Sequence, residues 1–168
     1  KENQLKPMDI AAIEVETFHR ASLLDTVIPT SIEQAQYSIP FLLAVAAIEG
    51  VIGPAQMTSG KFADPEITAL ARRVTLKVSP DLEALFPQRA LSRVSVTTKA
   101  GTNFQAFQEK TRGDWNQPFS DEEIKDKFRG FAGLSISKHK VEQIIEWIWN
   151  LEHVENTSNL LSISMGQE

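Results

Sequence analysis

The 168 residues predict an α+β fold: a mostly antiparallel sheet of about four strands with helices packed on one side. Three observations predict it. Four stretches alternate apolar and polar residues at the period of two that a half-exposed strand requires. Segments with helical spacing and N-terminal caps stand between and after them. Their order, β-α-α-β-β-β-α-α, lacks the strict strand–helix alternation of a doubly wound parallel sheet.

The first strand runs from Ile10 to Phe18, with Ile13, Val15 and Thr17 pointing one way and Glu14 and Glu16 the other. Asp25 to Thr30 connect it to a nearly all-apolar helix, Ser31 to Gly50, opened by a Ser31/Gln34 capping box. Ile32, Ala35, Ile39 and Leu42 gather on one side of that helix, while Tyr37, Phe41, Val45 and Ile48 cover the other. A helix apolar all round is expected to be buried. Pro40 stands in its middle, where it cannot donate to the Gln36 carbonyl and costs ~3 kcal/mol. That violation reads either as a kink wrapped around the core or as the mark of a functional site.

Gly50 and Gly53-Pro54 end the helix, and Asp64-Pro65 caps a short one through Ile67, Leu70 and Ala71. Val74, Leu76 and Val78 alternate with polar neighbours as a second strand, and Ser79-Pro80-Asp81 begins a stretch without a clear pattern. Strands three and four are Ser92 to Thr98 and Asn103 to Lys110. Lys99-Ala100-Gly101 joins them, its glycine suited to the left-handed position of a three-residue hairpin. Ser120 and Glu123 form another capping box, with Phe119 and Ile124 as its hydrophobic staple. The acids Asp121 to Glu123 in the first turn, with Lys125, Lys127 and Arg129 further on, complement the helix dipole as a solvated face. A last helix, about Ser137 to Leu151, carries the stripe Val141, Ile144, Ile145, Ile148 and Leu151, flanked by Trp147 and Trp149. Residues 155–168 are expected to fray.

Length suits one domain, residues 1–168, able to bury a proper core; Val15, Leu76, Val94, Val96, Ile145 and Ile148 are the expected core. A net charge of -5 argues against nucleic acid as a partner, which needs a concentrated basic face. Zero cysteines exclude a disulfide framework and thiolate chemistry, and are compatible with a cytoplasmic protein. No run of 18 apolar residues is free of charge, so no membrane partner is expected. Opening on Lys1-Glu2-Asn3-Gln4 rather than methionine, the chain reads as part of a longer polypeptide.

Chemistry-bearing motifs are sparse. Walker, Gly-x-Gly-x-x-Gly and Gly-x-Ser-x-Gly patterns are missing. His19, His139 and His153 lie far apart and lack ligand spacing, so no metal is expected; His139 and His153 read as surface residues, and His19 closes strand one. Glu122 and Glu123 are explained by capping, and Asp9, Asp25 and Asp64 by turns and caps. Trp147 and Trp149 read as core and interface. The residues contain no complete catalytic set.

Four collinear passages nevertheless resemble the C-terminal domain of the MmgE/PrpD family. They are Met8-Asp9-Ile10-Ala-Ala-Ile13-Glu-Val15, Ala35-Gln-Tyr-Ser-Ile-Pro-Phe41-Leu-Leu-Ala44 followed by Gly50, Val94-Ser-Val-Thr-Thr-Lys-Ala-Gly101, and Gly113-x-Trp115-x-x-Pro118-x-Ser120 followed by Lys127-Phe128. The likeness spans roughly residues 8 to 155. It implies lyase or isomerase work on small polycarboxylates of the 2-methylcitrate, cis-aconitate or iminodisuccinate kind, with no metal or organic cofactor. It also implies an active site shared with an N-terminal helical domain outside this chain, and a homodimer as a possible assembly. Lys6-Pro7 is not the family's Lys-Pro catalytic segment, because the histidine expected to follow is absent. Phe41 stands where many relatives carry tyrosine.

On this reading the catalytic groups lie mainly outside the chain, which alone is expected to be inactive. Its contribution is one wall of the cleft, with Ser38 and Phe41 lining it and therefore more exposed than Ile39 and Leu42. The alternative is a non-catalytic α+β interaction or dimerisation module.

Overall fold

In the computed structural model, residues 5–154, 156 and 157 are described. The expected frayed tail, apart from Asn156 and Thr157, lies outside them. The elements in chain order are β1 (Ile10–Thr17), α1 (His19–Ser22), α2 (Ile32–Gln36), α3 (Ile39–Glu49), α4 (Ser59–Phe62), α5 (Pro65–Ala71), β2 (Val74–Val78), α6 (Pro80–Glu83), β3 (Ser92–Thr98), β4 (Asn103–Gln108), α7 (Asp121–Ala132) and α8 (Lys138–Trp149). They fall into two compact units, Lys1–Thr111 and Arg112–Glu168.

The first unit holds the sheet, in the order β2-β1-β3-β4. β1 pairs parallel with β2, and antiparallel with β3, which pairs antiparallel with β4. The fold class is thus the expected one: α+β, with a mixed, mostly antiparallel four-stranded sheet. Register sets the two faces. Ile13 lies opposite Val74 and Val96, and Val15 opposite Leu76 and Val94, so these six side chains share one face. α3 and α5 pack there, bringing Phe41, Ala44, Val45, Ile67, Leu70 and Ala71 onto Ile13 and Val15. Val15 is buried as expected, whereas Leu76, Val94 and Val96 are half-buried. The other face carries Glu14, Glu16, Lys77 and Arg93. Alternation past the β-bulge between Ile10 and Ala12 therefore separates an oily face from a charged one.

The apolar segment from Ser31 to Gly50 is two helices, not one kinked helix. α2 ends at Gln36, Tyr37 leaves helical geometry, and α3 starts afresh with Ser38 as its N-cap. Ser38 Oγ accepts the Phe41 N–H at 3.0 Å, and Ser38 and Ile39 anchor their own N–H groups to Ala35 and Leu24 carbonyls. Pro40 falls in the first turn of α3, where an N–H has no intrahelical partner anyway. The cost assigned to a mid-helix proline does not arise. Gly50, at φ +73°, closes α3 by donating to the Ala46 carbonyl.

The hairpin forms as expected: Gly101 at φ +85° donates to the Thr98 carbonyl, and Thr98 N–H donates to Thr102 O at 2.8 Å. The one-turn helices α1, α4 and α6 carry no periodic signal long enough to announce them. In the second unit, the Ser120/Glu123 capping box opens α7. Val141, Ile144 and Ile145 are buried on α8, but Ile148 is 42% exposed. The reason lies in Trp149, whose ring covers Lys125 Nζ at 4.8 Å and whose Nε1 donates to Asp121. The line of contact toward α7 runs through Glu142, which pairs with Arg129, and Trp149 seven residues on, and Ile148 lies outside it.

Candidate functional site

Alternation along β1, β2 and β3 gathers charge on the polar sheet face. Lys77 pairs with Glu14 at 2.5 Å, and Arg93 Nη1 with Glu16 at 2.6 Å. Arg93 Nη2 reaches Asp81 at 3.1 Å, and its guanidinium lies 5.8 Å from the centre of the Phe107 ring. The Ser79 hydroxyl, which donates to Asp81, and then Arg93 hold the Asp81 carboxyl below its usual range. Glu16 and then Asp81 raise Arg93. Asp81 and Arg93 each favour the charged form that the other pairs with.

A second cluster sits at the end of α3. Glu49 accepts from Lys61 Nζ and from Gln56 Nε2, the latter at 2.9 Å. Lys61 first, and Gln56 next, hold the Glu49 carboxyl low, while Glu49 raises the Lys61 ammonium. Glu49 borders a groove of about 550 Å³ between α3 and the sheet, lined otherwise by side chains such as Ile13, Leu43, Val94 and Val96. A smaller hollow of about 190 Å³ brings Arg73 and Lys99 over Leu70 and Ile48. Two cations suit a carboxylate ligand, but Glu66 lines the same hollow and Arg73 Nη1 is committed to the Ile10 carbonyl at 2.6 Å. The hollow thus mixes charges of both signs, and one of its two cations is already engaged by the backbone.

Ser38 and Phe41 do not face solvent. Ser38 is 0% and Phe41 1% exposed, while Ile39 and Leu42 are half-buried, the reverse of the expected order. Ser38 Oγ is occupied, donating to the Thr26 carbonyl and capping α3, and the Phe41 ring meets Phe62 edge-on at 5.6 Å. Their burial removes the ground for placing them on a cleft wall. The sequence signal missed was Ser38-Ile39-Pro40-Phe41 itself, a cap followed by proline in the first turn. His19, His139 and His153 are exposed and far apart in sequence, and the His19 backbone N–H bonds Glu83 at 2.5 Å. Among the described residues no group of three or more acidic or histidine side chains could hold a metal ion. No helix among them is long and apolar enough to cross a membrane.

The profile of the MmgE/PrpD C-terminal domain matches residues 1–152. The chain belongs to the MmgE/PrpD family, as its C-terminal domain. It is similar to cis-aconitate decarboxylase of Homo sapiens, 27% identical over 165 residues, covering 98% of this chain and 34% of that protein. It is likewise similar to cis-aconitate decarboxylase of Mus musculus, 28% identical over 138 residues, covering 82% of this chain and 28% of that protein. The enzyme of that name from Aspergillus terreus is 27% identical over 139 residues, 80% of this chain and 28% of its own. The chain thus spans about a third or less of the length of these relatives.

Proposed function

We propose that residues 1–168 act as the C-terminal domain of a cytoplasmic lyase for small polycarboxylates, forming one wall of an active site completed by an N-terminal helical domain. The family match over residues 1–152 carries this reading. The relatives' shared name favours decarboxylation of cis-aconitate over dehydration of 2-methylcitrate or epimerisation of iminodisuccinate as the first reaction to assay. Work beside a carboxylate needs a positioned base and cations for the developing charge. In this chain Arg93, Lys61 and Lys77 are neutralised by their own carboxylates, which supports assigning base and cations to the other domain. Neither a metal nor an organic cofactor enters the proposal, and a homodimer is its assembly.

The test is reconstitution. The isolated chain should turn over none of the three substrates, and joining it to its native upstream sequence should restore one lyase activity. Turnover by the isolated chain, with contaminating enzyme excluded, would overturn the two-domain reading; a joined protein inactive on all three would overturn the substrate class.

A further inference from the structure

Glu66, Ala69 and Leu70 of α5, and Arg73 just beyond it, stand at i, i+3, i+4 and i+7 and so share one face. That face is one side of the hollow of about 190 Å³, and Ile48 of α3 and Lys99 of the β3–β4 turn lie across it. All six residues belong to the first unit. At helical rise Glu66 and Arg73 are separated by about 10 Å along the axis. Among the described residues neither makes an ion pair, and nor does Lys99. The contrast within the same unit is plain: Glu14 pairs with Lys77, Glu16 with Arg93 and Glu49 with Lys61. Here one cavity gathers both signs of charge and leaves them uncompensated.

Backbone contacts hold the two cations over the hollow. The Arg73 N–H donates to the Leu70 carbonyl, and the Arg73 carbonyl accepts the Ile13 N–H, both at 2.9 Å. Arg73 Nη1 donates to the Ile10 carbonyl at 2.6 Å. That bond orients the guanidinium and keeps its charge, while Nε and Nη2 have no hydrogen-bond partner among the described residues. The Lys99 N–H donates to the Asp9 carbonyl at 2.8 Å, which ties the hairpin turn to the segment Pro7–Asp9.

A simple anion entering the hollow would meet Glu66, and a simple cation would meet Arg73 and Lys99. A molecule with both charges on an apolar body meets neither conflict. We propose that this hollow binds a free amino acid with an aliphatic or thioether side chain. Its carboxylate takes Lys99 and the open donors of Arg73, its ammonium takes Glu66, and its side chain lies on Ile48, Ala69 and Leu70. The site is separate from the proposed lyase chemistry and rests on none of the residues used in that reading.

Water reaches Glu66 and Lys99, so binding is weak, with a Kd of about 1–10 mM. Titrating the whole chain with L-leucine should shift the backbone amide resonances of residues 66–73 and 99 along one saturation curve. N-acetyl-L-leucine lacks the ammonium and L-leucinamide lacks the carboxylate, and each should bind about fivefold more weakly. Glu66→Gln should weaken L-leucine about fivefold and leave N-acetyl-L-leucine no weaker. Lys99→Gln should weaken L-leucine by a similar factor and leave L-leucinamide no weaker. The proposal is overturned by any of three results: no saturable shift with L-leucine up to about 50 mM, equal binding of the three ligands, or either folded variant binding L-leucine as the wild type does. Succinate binding as well as L-leucine would make the hollow a general anion site and overturn it too. If a substitution disturbs the fold, the comparison of ligands on the wild type decides. No readout uses turnover, so failure here leaves the lyase reading standing.

Discussion

Ser38 and Phe41 are joined by the hydrogen bond that starts α3: the Phe41 N–H donates to Ser38 Oγ at 3.0 Å. Because Ser38 also donates to the Thr26 carbonyl, one hydroxyl ties the helix start to the loop ahead of α2. Ser38→Ala should lower stability by about 1–2 kcal/mol, the usual loss for an N-cap. Urea unfolding followed by circular dichroism measures it.

Pro40→Ala separates the observed arrangement from a kinked continuous helix. In a helix interior, replacing proline should stabilise by ~3 kcal/mol. In the first turn of α3 the N–H gained has no partner to meet, and the unfolded chain gains freedom. The expected change is a loss of no more than about 1 kcal/mol. A clear gain in urea midpoint would contradict the two-helix description.

Phe41 packs between α3 and the sheet with its ring edge-on to Phe62. Phe41→Ala should cost about 3–5 kcal/mol, because the cavity forms among Ala44, Ile67 and neighbours that cannot all collapse into it. The comparison is Tyr37→Ala, one turn earlier and exposed, which should stay within about 0.5 kcal/mol of wild type. Equal effects at the two positions would contradict the burial.

All four strands, the Asp64 and Ser120 caps and the Gly101 turn were legible in the sequence because each depends on neighbours within a few residues. The break at Tyr37 was not, although Ser38 and Pro40 are strong local signals. An unbroken apolar run outweighed them, and periodicity alone cannot tell one buried helix from two. Ile148 failed for a different reason. A stripe says which residues are apolar, whereas the orientation of α8 is set by Trp149 reaching Lys125 and Asp121. The expectation that Ser38 and Phe41 are exposed rests on the family resemblance and on their i, i+3 spacing in one continuous helix; with Pro40 in the first turn of α3, Ser38 is the cap and both side chains are buried.

Gly113 takes φ +91°, and a Cβ there would stand 2.6 Å from the Phe119 ring. That ring lies under Arg112 and Lys127, at 5.8 and 5.6 Å from its centre, so it cannot swing away without losing both cations. Gly113→Ala should destabilise the second unit by about 1–3 kcal/mol. Hydrogen exchange should show the loss in α7 and leave protection of β1 and β3 unchanged. Uniform loss over both units would tie Gly113 to the whole chain instead.

Arg129 of α7 grips Glu142 of α8 with both prongs, Nε to Oε1 at 2.8 Å and Nη2 to Oε2 at 2.9 Å. Arg129 holds the Glu142 carboxyl below its ordinary 4.5. A carboxylate depressed in the folded state contributes stability above its unfolded pKa and loses it as pH falls through the folded one. Glu142→Gln should therefore lower Tm slightly at pH 7, by an amount constant down to about pH 5 that shrinks progressively below it. Both side chains are partly exposed, so salt at about 0.5 M should also narrow the difference. A Tm gap between the two proteins that is the same at pH 3 as at pH 7 would show that the ionised pair contributes nothing to holding α7 against α8.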